Sequence, residues 1–407
     1  MSTPTPDNQS EPKTPFVGLA PFLRASIAGT DLTPLGQELL EKAQRDENDA
    51  ELWLNLSIVM QCLGQRDLGL SIQSLALEQK RTYYLAASQQ PARSRLLVIS
   101  VPGDISENTP LDCLLENSDI DLIFYYVSPD DPLATPVPEH DAVFVAIAES
   151  DEYRHILTSL EESLAHWPKP VINKPQNIPA TGREAASRLL NDAPGVLIPP
   201  TLRAPRATLL EIAAGHVRFE DQFSQCSFPI IVRPVGSQGG RGLEKVEGTD
   251  QLAIYLDKVE ETDFFVSRFI DYSSKDGLFR KFRIVLIDGT PYASHMGISS
   301  HWMVHYVNAG MYEDAGKRDE EACFMEHFDE FATRHRAALD AIHERTGLDY
   351  LCIDCAETQD GQLLIFEIDH TMVVHAMDPK QMFPYKQPHM RKAIDAFRDY
   401  LFRLTTQ

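Results

Sequence analysis

The chain has 407 residues, 43% of them hydrophobic and 24% charged, an ordinary globular composition long enough for two or three domains. Sixty acidic against 37 basic residues leave a net charge of -23, which speaks against nucleic-acid or anionic-membrane binding, because both depend on neutralising phosphate. No apolar run reaches the length of a membrane span, six cysteines do not suggest a disulfide scaffold, and the first residues lack a basic stretch before an apolar one, so a cytoplasmic protein is expected.

In chain order, residues 1–14 are polar and proline-containing and are expected to be a disordered tail. Residues 15–92 read as a helical segment. Within it, 50–78 resembles one tetratricopeptide repeat, with Trp53, Leu56, Gly64 and Ala76 at signature positions. Gly69 stands where alanine is usual, and the closing proline is absent. A lone repeat has no neighbours to bury its faces. Packing on the rest of the chain is therefore the expected role, with peptide binding as the alternative.

Residues 93–200 read as a parallel α/β domain. Stretches 96–101, 121–127 and 142–148 are apolar enough for buried strands, with helices near 109–117 and 151–166 as crossovers. A short strand at 171–175 and a helix at 181–191 lead to 195–201. The final helix is expected at 388–404. Cys352 and Cys355 have C-x-x-C spacing, but on a strand such residues face opposite sides, so neither a redox pair nor a zinc half-site is expected.

The stretch 228–246 is the most informative. An apolar strand runs into a loop with glycine at four of seven positions, Gly236, Gly239, Gly240 and Gly242. Glycine accepts positive φ and lets successive N–H groups cradle an anion such as phosphate. Arg233 at the strand end and Arg241 in the loop supply positive charge. Further on, Lys281 and Arg283 lie two apart on a strand that Asp288-Gly289 turns into a hairpin, so both face one side.

A second hairpin is expected over 349–369, turning at Asp360-Gly361. A two-residue loop pairs Gln359 with Gln362 and sets Asp354 opposite Glu367, with Asp369 on the same face. Opposed side chains lie roughly 5 Å apart, and like charges there repel. Three carboxylates on one face therefore call for a cation, and all-oxygen ligation suits magnesium. Ile353, Leu364 and Phe366 are left to make the core face.

In this order and spacing the motifs resemble the ATP-grasp superfamily over residues 93–405, and most nearly its glutathione-synthetase-like and glutamate-ligase-like carboxylate–amine ligases. The resemblance implies an ATP-grasp domain at 201–407, with a small subdomain at about 202–275 and a large one at about 276–405. It implies that Gly236, Ser237, Gln238, Gly239, Gly240 and Gly242 cover ATP, and that the hinge residues Arg268, Phe269 and Ile270 read adenine through their backbone. Arg233, Lys281 and Arg283 would hold the phosphates, and Asp354, Glu367 and Asp369 would hold magnesium (Mg2+). The implied reaction converts a substrate carboxylate to an acyl phosphate, from which an amine displaces phosphate. Four departures stand out: Arg233 for lysine, Asp369 for asparagine, Arg268 where an acid is common, and no lysine opening the helix before the ATP domain, for which Arg183 or Arg188 are substitutes.

The substrate side is less legible, and an amino acid or a peptide both suit it. The segment 295–306 is rich in histidine and aromatic residues. His301 and His305, four apart, would share a helix face. No H-E-x-x-H motif accompanies them, so substrate contact or packing is expected rather than zinc. His375, and His370 with it, sit just past the carboxylate strand and would face the acceptor. Two other functions use the same features: a kinase that phosphorylates a small molecule, and a non-catalytic peptide-binding protein. Nothing in the sequence gives the oligomeric state.

Overall fold

The computed structural model describes residues 14–128, 133, 136–237 and 239–406. Of the tail expected at 1–14, only Thr14 falls within them, and its N–H donates to Asp49 at 3.2 Å. Four helices come next: α1 (Ala20–Ile27), α2 (Thr33–Arg45), α3 (Ala50–Cys62) and α4 (Arg66–Gln79). Asp49 caps α3 by accepting the Leu52 N–H at 3.0 Å, satisfying a first-turn donor that the helix cannot pair itself. Helices α3 and α4 pack so closely that a Cβ on Gly69 would stand 2.6 Å from Gln61 Cγ and 3.0 Å from the Ser57 carbonyl oxygen. That contact accounts for glycine at this position.

The helical segment runs directly into the first sheet. Strand β1 (Thr82–Leu85) lies in the same sheet as β2 (Ser94–Ser100), β3 (Ile120–Tyr126), β4 (Ala142–Val145) and β5 (Val171–Ile172), in the order β1-β3-β2-β4-β5. The last four are parallel, as expected, and β1 adds an antiparallel edge. The boundary expected at residue 93 thus falls inside the sheet, which begins at residue 82. One continuous core joins α1–α4, this sheet and the large sheet formed by the C-terminal part of the chain.

Strand β6 (Val196–Leu197) leaves for that large sheet, and the chain then builds a smaller one. It comprises β7 (Thr201–Pro205), β8 (Ile230–Pro234), β9 (Glu244–Val246) and β10 (Asp263–Arg268), ordered β7-β10-β8-β9. Helices Arg206–Ala213 and Thr249–Lys258 complete it, around a core of its own that includes Leu209, Val232, Leu252 and Phe264. The large sheet adds β11 (Phe279–Ile287), β12 (Thr290–Ser299), β13 (Tyr350–Glu357) and β14 (Leu363–Asp369), ordered β12-β11-β13-β14-β6. Helix Lys386–Thr405 packs against β11 and β12. The chain passes from the small sheet to the large one between Arg268 and Phe279.

Both hairpins form, one of them in a different register. Asp288 and Gly289 adopt φ of 50° and 74° between paired Ile287 and Thr290, the two-residue turn expected. The β13–β14 loop instead has three residues: Thr358 pairs with Gln362, and Gly361 sits at φ 82°. Pairing therefore starts one residue out, with Glu357 opposite Leu363. A bulge at Phe366 absorbs the offset, so that Asp354 still faces Glu367. The bulge changes the core face. Ile353, Ile365 and Ile368 enter the main core, whereas Leu364 and Phe366 pack with Tyr272 near the hinge, the two rings 4.8 Å apart.

The described cysteines are all free thiols, and burial pushes Cys352 up to about 12. Among the described residues no helix is long and apolar enough to cross a membrane.

Candidate functional site

A cavity of about 490 Å³ opens where the small sheet, the large sheet and the N-terminal part of the chain meet. Its lining holds five basic side chains, Arg183, Arg233, Arg268, Lys281 and Arg283, against three acids, Asp354, Glu367 and Asp369. A chain of net charge -23 thus concentrates positive charge in this cavity. Local excess of this kind focuses anions.

Strand β8 delivers Arg233 to one wall. The side chain is only 8% exposed, and it donates to Ser237 Oγ at 3.3 Å and to the Ser237 carbonyl oxygen. Burial, reinforced by nearby Arg183, pulls its guanidinium down to about 10. Arg233 therefore secures the start of the glycine loop while facing the cavity. All four loop glycines have positive φ, from 62° to 76°. They differ in what they face. Gly239 and Gly240 line the cavity, and Gly236 and Gly239 have open space where a Cβ would be. A Cβ on Gly242 would meet the Pro234 ring at 2.8 Å, so that glycine closes the β8–β9 turn. Gln238 lies outside the described residues. Arg241 points away from the cavity, to Glu261 at 3.8 Å, contrary to the charge placement expected of it.

The hinge residues Arg268, Phe269 and Ile270 all line the cavity. The Phe269 N–H donates to the Pro229 carbonyl oxygen at 2.9 Å, and its ring lies between Lys245 Nζ at 4.2 Å and the Trp302 ring at 5.8 Å. With Ile231, Leu243, Phe265 and Tyr272 they give this end an apolar, partly aromatic lining suited to a flat base.

The opposite wall is the centre of the large sheet. Because β11 and β13 are neighbours with Arg283 opposite Asp354, three charged side chains converge there. Lys281 Nζ lies 2.7 Å from Asp354, and Arg283 holds the same carboxylate through Nε and Nη2 at 2.8 and 3.0 Å. The two cations hold Asp354, although fully buried, far below the usual carboxylate range. Arg183, which opens helix Arg183–Leu190, forms an ion pair with Glu367. Arg188 on the same helix is exposed and off the cavity, so of the two only Arg183 lines it. Asp369 accepts bonds from the Thr371 N–H and hydroxyl at 2.8–2.9 Å. Burial, then the charge of Glu367, raises Asp369 to about 6.

The expected three-carboxylate set is therefore not gathered: Asp354 is answered by two protein cations. Among the described residues no group of three or more His, Cys, Asp or Glu side chains converges as metal ligands. Glu367, which among the described residues has Arg183 as its one ion-pair partner, and Asp369 remain as a repelling pair whose oxygens fit a hard cation that keeps other ligands from elsewhere, as magnesium does with nucleotide phosphates.

The histidines separate. His305 lines the cavity, its Nε2 only 2.6 Å from where a Cβ on Gly240 would lie, and burial and Lys281 lower its pKa. His301 is exposed and off the cavity, its Nδ1 accepting the Met303 N–H at 3.2 Å. The segment is not helical at 301–305, so the shared helix face does not exist. His375 turns its Nδ1 to the Met377 N–H at 3.1 Å and does not line the cavity. His370 is fully buried against the Ile147 carbonyl oxygen at 3.0 Å, and burial lowers it to about 4. Residues unforeseen in the sequence complete the lining: Trp302, Thr371, and from the N-terminal half Leu19, Leu23 and Ile105.

No protein-family profile matches the chain, and no curated protein matches it in sequence. Solved structures similar to it include an ATP-grasp RimK domain protein from Sphaerobacter thermophilus, at 16% identity over 76% of this chain and 99% of that one, with a TM-score of 0.43. D-alanine–D-alanine ligase from Bacillus anthracis, solved with ATP, has 14% identity over 77% and 98%, with a TM-score of 0.47. D-alanyl-alanine synthetase A from Vibrio cholerae has 16% identity over 78% and 100%, with a TM-score of 0.46. At such values the functional reading has to come from the cavity's own residues.

Proposed function

We propose that the protein is an ATP-dependent carboxylate–amine ligase of the ATP-grasp kind, acting on an amino acid or peptide. The observation that carries the reading is the cavity's arrangement: a positive-φ glycine loop and an apolar hinge end on one side, and a basic cluster around an acidic pair on the other. Adenine sits against the hinge residues 268–270. The phosphates lie under Gly239 and Gly240, between Arg233, Arg183 and Lys281. Glu367 and Asp369 hold magnesium, which supplies charge neutralisation and a template at the phosphates. Asp354 serves as the anchor that fixes Lys281 and Arg283 in direction.

The substrate carboxylate attacks the terminal phosphate, giving ADP and an acyl phosphate. The amine then forms the amide and releases phosphate. Catalysis of this kind needs placement and positive charge rather than a protein nucleophile. Lys281, held by Asp354, and Arg283, held by Asp354 and the Val373 carbonyl oxygen, each keep N–H donors for the transferring phosphoryl group.

The test is ADP release from ATP and magnesium across amino acids and short peptides, with hydroxylamine present to trap an acyl phosphate as hydroxamate. Acid-dependent hydroxamate supports the ligase. A stable phosphorylated product instead makes the protein a kinase, and no nucleotide binding at all leaves the non-catalytic peptide-binding alternative.

A further inference from the structure

One part of the cavity lining is apolar. Leu19, Leu23, Ile105, Met372 and Val373 form it. None has a side chain able to hydrogen-bond. Leu19 and Leu23 are four apart about the start of α1, so they present one face. The position of the wall relative to the charges is fixed, because Arg283 Nη1 donates to the Val373 carbonyl oxygen at 3.4 Å.

Two of the three segments making this wall are held by the N-terminal helices and their contacts. The N–H groups of Leu19 and Ala20 donate to the buried carboxylate of Asp112 at 2.5 and 2.9 Å. The turn carrying Ile105 is gripped from α3 and α4. Gln61 accepts the Ile105 N–H at 3.0 Å, and Gln73 both accepts from and donates to Gly103, at 2.7 and 3.0 Å. Gln61 and Gln73 are 8% and 7% exposed. Mere packing of helices on a core needs apolar contact. Buried amides directed at the backbone of a cavity-lining turn fix its position as well, since leaving either side unpaired is costly.

We propose that the N-terminal helical segment is the side wall of the substrate compartment and selects a carboxylic acid with an aliphatic side chain, bound with its carboxylate at Lys281 and Arg283 and its side chain against Leu19, Leu23, Ile105 and Met372. The inference rests on the ligase reading for the direction of the carboxylate. A charged side chain finds no ion-pair partner among the five wall residues and loses its water, and the adjoining lining hydroxyls of Ser106 and Thr371 already donate to Asp104 and Asp369. A hydrophobic wall discriminates by about tenfold or more per missing methylene.

The experiment is calorimetric binding of L-leucine, L-isoleucine, glycine and L-aspartate to the full chain, with a non-hydrolysable ATP analogue and magnesium present. Glycyl-L-leucine beside L-leucine tells a peptide end from a free acid. The expected result is leucine or isoleucine bound about tenfold or more tightly than glycine or aspartate, with Leu23→Ala shrinking that ratio and Leu23→Arg abolishing it. If Leu23→Arg does not fold, Ile105→Ala, expected to shrink the ratio in the same way, takes its place. Aspartate or glycine bound as tightly as leucine, no acid bound, or a ratio unchanged in the variants overturns the proposal. Hydroxylamine trapping on the same samples separates the two readings. Leucine bound without hydroxamate counts against the ligase and leaves the wall standing. Hydroxamate from aspartate but not leucine does the reverse.

Discussion

Asp354 and Glu367 face each other across one hairpin, yet they are held by different partners, and their substitutions are expected to behave differently. Asp354 neutralises Lys281 and Arg283 in a buried place. Asp354→Ala leaves two half-buried, cavity-lining cations without their anion, a loss of up to about 3–5 kcal/mol, the range for a broken buried pair. Glu367→Gln loses one ion pair to Arg183 but relieves repulsion on Asp369. It is expected to keep the melting temperature within a few degrees while ATP turnover falls at least a hundredfold. Melting curves and ADP release on both variants check this, and equal stability losses would mean that Asp354 is not an anchor for the two cations. Asp369 gives a pH prediction. Its folded pKa of about 6 exceeds the ordinary 3.8, so the folded protein holds the proton more tightly than the unfolded chain. Stability from this group is therefore full below pH 3.8 and is lost as pH rises through about 6. In metal-free buffer, Asp369→Asn should gain on the wild type in melting temperature across that window. Parallel pH curves for the two proteins would contradict the raised pKa.

At the scale of elements, the glycine loop and the hairpins show what sequence can and cannot convey. Positive φ at Gly236, Gly239, Gly240 and Gly242 was legible because only glycine clusters so densely where the backbone must turn repeatedly. That Arg241 faces outward was not, since a loop has no fixed side-chain period. The Asp354–Glu367 pairing came out as expected although the turn has three residues, because the bulge at Phe366 offsets the longer loop. Two departures from regular pairing cancelled, and only the core face, with Phe366 at the hinge, records them. The Lys281–Asp354–Arg283 cluster needs β11 beside β13, a long-range adjacency that no local pattern specifies. The loop also separates its glycines by role. Gly240→Ala places a Cβ against His305, whereas Gly236→Ala meets only open space. Both carry the strain of positive φ, about 1 kcal/mol. Gly240→Ala is expected to raise the KM for ATP several-fold more than Gly236→Ala, and steady-state kinetics of the pair measure it.

For the whole molecule, the boundaries matter more than the domain names. A chain starting at residue 91 would lose β1, the edge of the first sheet, and with it Tyr83, fully buried between Phe16 and Tyr126. It would also leave Asp112 buried without the N–H groups of Leu19 and Ala20. Such a truncation is expected to be insoluble or to melt well below the full chain. A soluble truncation with an unchanged melting temperature would show that the helices are accessory after all. Their reach into the cavity was hidden from sequence, because Leu19 and Leu23 lie more than two hundred residues from Lys281, Arg283 and the other large-sheet residues that line it with them.

The contrast between an acidic exterior and a basic cavity has a kinetic side. Magnesium-bound ATP is an anion approaching a molecule of charge -23, so at long range it is repelled. The attraction acts only within a short distance of the cavity mouth. Salt weakens the two unequally: the Debye length falls from about 30 Å at 0.01 M to about 8 Å at 0.15 M, which removes the far field first. Stopped-flow capture of a fluorescent ATP analogue should therefore speed up as salt is first added and slow only at higher concentrations. A rate that falls from the first addition would mean that the mouth already commands the approach at long range. The same envelope would bias against larger polyanions, whose many charges cannot all fit past the mouth, leaving the basic residues accessible to a small nucleotide and screened from nucleic acid.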